Sequence, residues 1–211
     1  MRELTRNVYI KNGMLLTKSK YGSHYGERIF DGLREWVPWR SKLAAMFVKG
    51  YLIEFRGDER LLYLGAASGT TVSHLSDILD KGVIYAVEYS PKPFSKLLEL
   101  AKDRDNIIPL LFDASKPWQY SGIVELVDFI YQDIAQKNQI EILRENIRFF
   151  LKSNCDFLIM VKARSIDSLE DPNVVFSKVK EDLSRDFKIL STGSLLPFHK
   201  DHIFIHGKKI E

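Results

Sequence analysis

The sequence predicts an α/β fold: a mostly parallel, doubly wound sheet with an antiparallel last strand, preceded by a small β-rich region. Three observations carry this. From about Trp39 onward, short apolar runs alternate with segments of helical period. The first thirty residues instead combine spaced glycines with a hairpin-turn signal. The last two apolar runs have no helical pattern between them.

Val8 to Ile10 and Met14 to Thr17 flank Lys11-Asn12-Gly13, and Asn-Gly favours a two-residue hairpin turn. Gly22, Gly26 and Gly32 follow, with Tyr21 and Tyr25 close by. Residues 1–38 are therefore expected to form a β-rich region ahead of a domain at 39–211. Arg40 to Leu52 places Leu43, Met46, Phe47 and Gly50 near one helical face. Leu61 to Leu64 reads as a buried strand ended by Gly65, and Thr70 to Leu79 as a helix with Val72, Leu75, Ile78 and Leu79 inward. Val83 to Val87 is the second strand of this part. Pro91 then stands near the first turn of a helix running to Lys102. Ile107 to Phe112, Val127 to Tyr131 and Phe157 to Val161 are further strands, the last two separated by a helix from Gln139 to Leu151. A helix from Asn173 to Leu183 precedes the strands Phe187 to Ser191 and Ile203 to His206. Strand–helix alternation implies right-handed crossovers and a parallel sheet covered on both faces. The connection from Thr192 to His202 lacks helical character, so the final pair should be antiparallel. By analogy, this is the architecture of the Rossmann-like class I S-adenosylmethionine-dependent methyltransferases.

The 211 residues are 45% apolar and 28% charged, which suits one full-sized domain with its own core and excludes a disordered chain. The longest apolar runs fall far short of the roughly 18 residues of a membrane span, and the N-terminus lacks a signal-peptide pattern. A soluble, cytoplasmic protein is expected. The single cysteine, Cys155, rules out an internal disulfide and a multi-cysteine zinc site. His24, His74, His199 and His206 show no paired metal-ligand spacing, so no metal is expected. No Gly-x-Ser-x-Gly elbow is present, which argues against a serine hydrolase. Residues 1–60 carry 12 lysines and arginines against 7 acids, whereas 61–211 carry 19 against 21. A basic end on a near-neutral body is a weak pointer to a polyanionic partner.

Ligands of open α/β sheets bind beyond the C-terminal strand ends, at the switch in strand order. Gly65-Ala66-Ala67-Ser68-Gly69-Thr70-Thr71 follows the first strand of the repeating part. It is neither Gly-x-Gly-x-x-Gly nor a Walker A loop, and on its own an ordinary tight turn explains it equally well. Glu88 ends the second strand, 23 residues past Gly65, where a carboxylate can hold a ribose diol. Asp113-Ala114 follows the third strand and can accept from an adenine amino group. Asp133-Ile134-Ala135-Gln136 follows the fourth. A nucleoside ligand would use all three acids. NAD remains an alternative, but the loop lacks the middle glycine that admits a diphosphate.

The run Leu62 to His74, with Trp39-Arg40-Ser41-Lys42-Leu43-Ala44-Ala45 upstream, resembles the motifs of the fibrillarin family. Tyr85 to Glu88, Asn106 to Pro109, Asp133 to Gln136, Val161-Lys162-Ala163 and Asp201-His202 follow in the family's order. The likeness spans nearly the whole chain. It lacks the Gly/Arg-rich tail of eukaryotic members and so resembles the archaeal ones. Lys137 stands where a proline is usual and Arg164 where an asparagine is common.

The resemblance implies an S-adenosylmethionine-dependent ribose 2′-O-methyltransferase acting on rRNA and tRNA, with a box C/D guide RNA choosing the nucleotide. It implies a Nop-domain scaffold protein as partner and, indirectly, a kink-turn-binding subunit related to a ribosomal protein. Lys42, Asp133, Lys162 and His202 map onto the catalytic set. Gly65, Ala66, Thr70, Thr71, Glu88, Tyr89, Asp113, Ala114, Asp133, Ile134, Ala135 and Gln136 map onto the cofactor site. Lys162 is a candidate base for the 2′-hydroxyl proton, with Asp133 holding the ammonium groups and Lys42 holding phosphate or the attacking oxygen. His202 would orient a lysine or touch RNA. The alternatives are a methyltransferase for protein or a small molecule, and a non-catalytic ribonucleoprotein subunit.

Overall fold

A computed structural model describes residues 1–210. Five short strands open the chain: β1 (Arg2–Thr5), β2 (Val8–Lys11), β3 (Met14–Lys18), β4 (Ile29–Phe30) and β5 (Leu33–Glu35). They form an antiparallel sheet of order β1-β2-β3-β5-β4. The β2–β3 hairpin turns at Asn12 and Gly13, both at positive φ, as a primed two-residue turn requires. β1, β4 and β5 are not apparent from the sequence. Each is short, and the polar residues Arg2, Glu3, Arg34 and Glu35 hide any simple alternation.

A 3-10 turn at Pro38–Arg40 leads into α1 (Lys42–Val48). The helix is shorter than the segment 40–52 because Gly50, at φ +88°, turns the chain out of it. The repeating part is β6 (Arg60–Leu64), α2 (Thr70–Ile78), β7 (Val83–Glu88), α3 (Pro91–Lys102), β8 (Ile107–Leu111), β9 (Val127–Gln132), α4 (Gln139–Phe150) and β10 (Leu151–Lys162). A short α5 (Ala163–Ile166), then α6 (Pro172–Leu183), β11 (Phe187–Ser194) and β12 (His202–Lys209) complete it. β10 begins six residues before the apolar run that marks it in the sequence, with a register irregularity between Leu151 and Asp156.

The second sheet has the order β11-β12-β10-β9-β6-β7-β8. β6 to β10 are parallel neighbours, and β12 runs antiparallel to both β10 and β11. The reversed strand thus sits between two that point the other way. Strand alternation splits the core into two layers. Leu61 and Tyr63 face α1, α2 and α3, whereas Leu62 and Leu64 face α4 and α6. Val8, Leu15 and Trp36 join the first layer, so the N-terminal sheet shares a core with the larger one. Among the described residues, no helix is long and apolar enough to cross a membrane.

Candidate active site

β6 lies between β7 and β9, so chain order reverses there and leaves a crevice at the carboxyl ends of the strands. A cleft of about 250 Å³ occupies it. Gly65, Glu88, Tyr89, Asp113, Ala114, Asp133, Ile134, Ala135 and Gln136, all singled out in the sequence, line it. Ala67, Val87, Ser90 and Phe112 also line it and were not anticipated; each flanks a predicted strand end, which is the signal that finds them. Ala66, Thr70 and Thr71 lie outside this lining. The Ala66 N–H is bound to the Val87 carbonyl at 2.9 Å. The buried Thr71 hydroxyl meets the Ser41 hydroxyl at 3.0 Å, and Thr70 borders a separate small crevice with Trp36 and Arg40.

The loop between β6 and α2 is held from three sides. At Gly65 a Cβ would collide with the Asp133 carbonyl, so only glycine lets these two strand ends close up. Glu88 accepts the Ala67 N–H at 2.8 Å on one oxygen and the Ser90 N–H at 2.7 Å on the other. Both oxygens keep a free lone pair, so the carboxylate is aimed yet still able to accept. The Tyr25 hydroxyl, from the N-terminal region, donates to the Ser68 carbonyl. Burial, with the neighbouring Glu27, pushes that phenol up to about 12, so it stays a donor. Nothing in the local sequence flags Tyr25 except an aromatic side chain in a glycine-rich stretch.

Asp113 accepts from the Ser115 N–H at 3.0 Å and hydroxyl at 2.7 Å, both on Oδ1. Partial burial pushes this carboxyl up, but the two Ser115 bonds outweigh it and hold the group ionised below its ordinary range. Three carboxylates therefore line the cleft. Among the described residues, no lysine or arginine does. Such a wall favours a neutral or cationic ligand and disfavours a diphosphate.

Beside the cleft, Lys42 Nζ lies 2.8 and 2.9 Å from the two Asp133 oxygens. Lys42 opens α1, whose N-cap is Ser41, so the Ser41–Thr71 bond ties the lysine to the cofactor-side helix α2. Asp133 is fixed by its own N–H on the Leu64 carbonyl at 2.9 Å. Lys162 ends β10 directly opposite His202 of β12. Nδ1–H of His202 donates to the Lys200 carbonyl at 2.6 Å, which leaves Nε2 as an acceptor. Burial holds His202 neutral by pushing its pKa down, and Lys42 adds to this while Asp133 opposes it. The four predicted catalytic residues thus form one ion pair and one cross-strand pair within a shared field. No cluster of metal-ligating side chains occurs among the described residues.

The sheet order with one reversed strand inserted before the last, and the acid-lined cleft at its switch point, define a Rossmann-like class I methyltransferase. The fibrillarin family model matches residues 2–211. The chain is 70% identical over 207 residues to the fibrillarin-like rRNA/tRNA 2′-O-methyltransferase of Archaeoglobus fulgidus, covering 98% of this chain and 99% of that one. It matches a chain of a crystallised fibrillarin/Nop5p complex with TM-score 0.97 and 69% identity, over 99% of this chain and 100% of the other. Aeropyrum pernix fibrillarin, crystallised with natively bound S-adenosyl-L-methionine, matches with TM-score 0.82 and 43% identity, over 92% and 88%. This chain belongs to the fibrillarin family.

Proposed function

We propose that this protein methylates ribose 2′-hydroxyls of rRNA and tRNA using S-adenosylmethionine. It does so as the catalytic subunit of a box C/D particle in which a guide RNA selects the nucleotide. A Nop-domain scaffold protein carries it there, with the kink-turn-binding subunit in the same particle. The observation that carries this reading is the Lys42–Asp133 pair set beside a cleft walled by carboxylates, in a chain of this family.

The residues fit the cofactor. The free lone pairs of Glu88 suit a ribose diol, and Asp113 Oδ2, with Lys116 Nζ 3.7 Å away, keeps acceptor capacity for an adenine amino group. Tyr89, Ala114, Ile134, Ala135 and Gln136 form the walls, and the cation-free lining suits a sulfonium. When bound, S-adenosylmethionine supplies a methyl group already activated on sulfur. The protein's own residues then have two tasks, positioning the hydroxyl in line and removing its proton. Asp133 anchors Lys42 at the mouth of the cleft, where the ammonium steadies the attacking oxygen or the adjacent phosphate. Lys162, at the end of β10, is the residue that takes the hydroxyl proton. His202, with Nε2 free to accept, orients the Lys162 amine across the strand pair.

The test is transfer of labelled methyl to a guide-matched RNA by the reconstituted particle. One modified ribose, dependent on both guide and partner proteins, is expected. Label appearing in protein, or in no product, would reject this reading.

A further inference from the structure

The connection between β11 and β12, residues 195–201, is tied to the segments that carry three of the proposed catalytic groups. Towards Lys42, the His199 Nε2–H donates to the Pro38 carbonyl at 2.9 Å, four residues before the lysine. Towards Lys162, the Asp201 carbonyl accepts from the Ala163 N–H at 3.1 Å, one residue beyond that lysine. The loop itself runs into β12 at His202, and the Leu195 N–H closes it on the His202 carbonyl at 3.0 Å. Asp133, the fourth group, is held by Lys42 directly.

Of these segments, α1 most needs an outside hold. Its seven residues are too few to keep a helix by their own hydrogen bonds. Leu43 to Phe47 are buried, but apolar burial is non-directional and fixes the helix less sharply along its axis than a hydrogen bond does. The loop grips α1 at both ends. His199 holds the Pro38 carbonyl ahead of it, and Lys49, its C-cap, donates from Nζ to the Leu196 carbonyl at 2.7 Å. Phe198 adds an edge-to-face contact with Trp39, centroids 5.0 Å apart. The His199 ring is half-buried, 6.0 Å from that of His202 between centroids. Burial pushes its pKa down; the Pro38 carbonyl opposes this, and Lys42 and Asp133 act on it in opposite senses. A neutral imidazole thus stands in the field of the Lys42–Asp133 pair while its Nε2–H is bound to backbone.

We propose that His199 is a positioning residue for methyl transfer. By fastening the start of α1 to the β11–β12 loop, it sets where Lys42 stands relative to Lys162 and His202. This rests on the function proposed above and adds a residue that acts through Lys42. Neither His199 nor the rest of its loop lines the cofactor cleft, so the effect falls on the reacting geometry and not on cofactor binding.

The reconstituted particle with matched target RNA provides the test. His199→Ala should lower kcat about ten- to a hundredfold, the scale of a displacement of about 1 Å at a reacting group. KM for RNA and the Kd for S-adenosylmethionine should stay near wild type. His199→Gln, whose amide can donate where Nε2–H does, should recover most of the rate. His199→Met, of similar length but without a donor, should not. Single-turnover rates in a Lys42→Ala background add a readout that separates positioning from general packing. With Lys42 gone, His199→Ala should cost nothing further. An undiminished loss in that background would overturn the proposal. So would an unchanged kcat in folded His199→Ala, or a loss that excess scaffold protein restores, since His199 would then serve assembly. If His199→Ala does not fold, Lys49→Met opens the other end of the same hold; it should lower kcat with KM unchanged, and a wild-type kcat there would overturn the proposal. If the wild-type particle fails to methylate matched RNA at all, it is the function itself that falls.

Discussion

Glu88 is one side chain with two tasks, holding a loop and, in the proposed site, accepting from the ligand. Its two oxygens each hold a loop N–H, which fixes the direction of the lone pairs left over. Glu88→Ala removes both anchor and acceptor. Loss of one charge-assisted hydrogen bond is worth roughly 1.5–3 kcal/mol, so the Kd for S-adenosylmethionine should rise about ten- to a hundredfold by calorimetry. An unchanged Kd in a folded variant would remove Glu88 from the site. Lys162 calls for a different readout. Lys162→Ala should cut methyl transfer by at least ~10²-fold and leave cofactor binding nearly intact. Lys162→Arg should not restore the rate, because a guanidinium does not give up its proton to become a base. A near-wild-type arginine variant would leave Lys162 as a charge clamp only.

At the level of elements, a buried ionic cluster joins the N-terminal sheet to α2 and to the turn between α3 and β8. Asp77 of α2 bridges Arg34 of β5 at 2.7 Å and Arg104 at 2.8 Å. All three side chains are essentially without solvent contact, and Arg34 also meets Glu27 at 2.8 Å. Thr17 of β3 and Ser19 donate to Asp77 as well. Replacing one member of such a cluster leaves uncompensated buried charge, which costs more than the intact cluster contributes. Asp77→Ala takes its carboxylate from Arg104 and leaves Arg34 with Glu27 alone, and should destabilise the protein by about 3–5 kcal/mol in a urea titration. A change below ~1 kcal/mol would mean that water reaches the two arginines. The same cluster explains why the N-terminal sheet, though formed from a separate run of strands, supports Tyr25 in its place over the cofactor loop.

For the whole molecule, histidine burial sets the acid limit of stability. His74 is fully enclosed, stacked on Trp36, and donates from Nδ1 to the Thr17 hydroxyl at 2.8 Å. Burial, and then Arg34, push its pKa well down, and His199 and His202 are shifted the same way. The unfolded chain therefore takes up protons below about pH 6.5 that the folded chain refuses. Stability should be full above that pH and fall as pH drops through it, by up to about 1.4 kcal/mol per pH unit for each histidine. Urea titrations at pH 7.5 and 5.5 measure the difference, which should shrink in His74→Gln; an equal difference in that variant would clear His74. Charge balance acts on RNA binding at the same scale. The surplus of cations is modest and confined to the first sixty residues. Affinity for RNA grows with the number of phosphates neutralised, so the isolated chain should bind target RNA weakly and without sequence preference. Tight, selective binding by the isolated chain would contradict delegation of target choice to a guide.

Periodicity and strand-end chemistry determined much of this protein in advance. The apolar runs at 61–64, 83–87, 107–112 and 127–131 are local signals of buried strands, and the acids that follow the last three need no tertiary information to be placed at strand ends. The Asn12-Gly13 hairpin is equally local, because positive φ at two successive residues is written in the residue types. The tertiary structure alone decided what those residues meet. That β12 inserts between β10 and β11 depends on pairing across the sheet, and it is this insertion that sets His202 opposite Lys162. The Lys42–Asp133 pair spans 91 residues of chain and exists only because the start of α1 meets the residue that follows β9. Thr71 belongs to the same motif as Gly65 yet turns inward to Ser41, away from the cleft. A helix start can aim a hydroxyl at a ligand or at its neighbour, and packing against α1 made the choice.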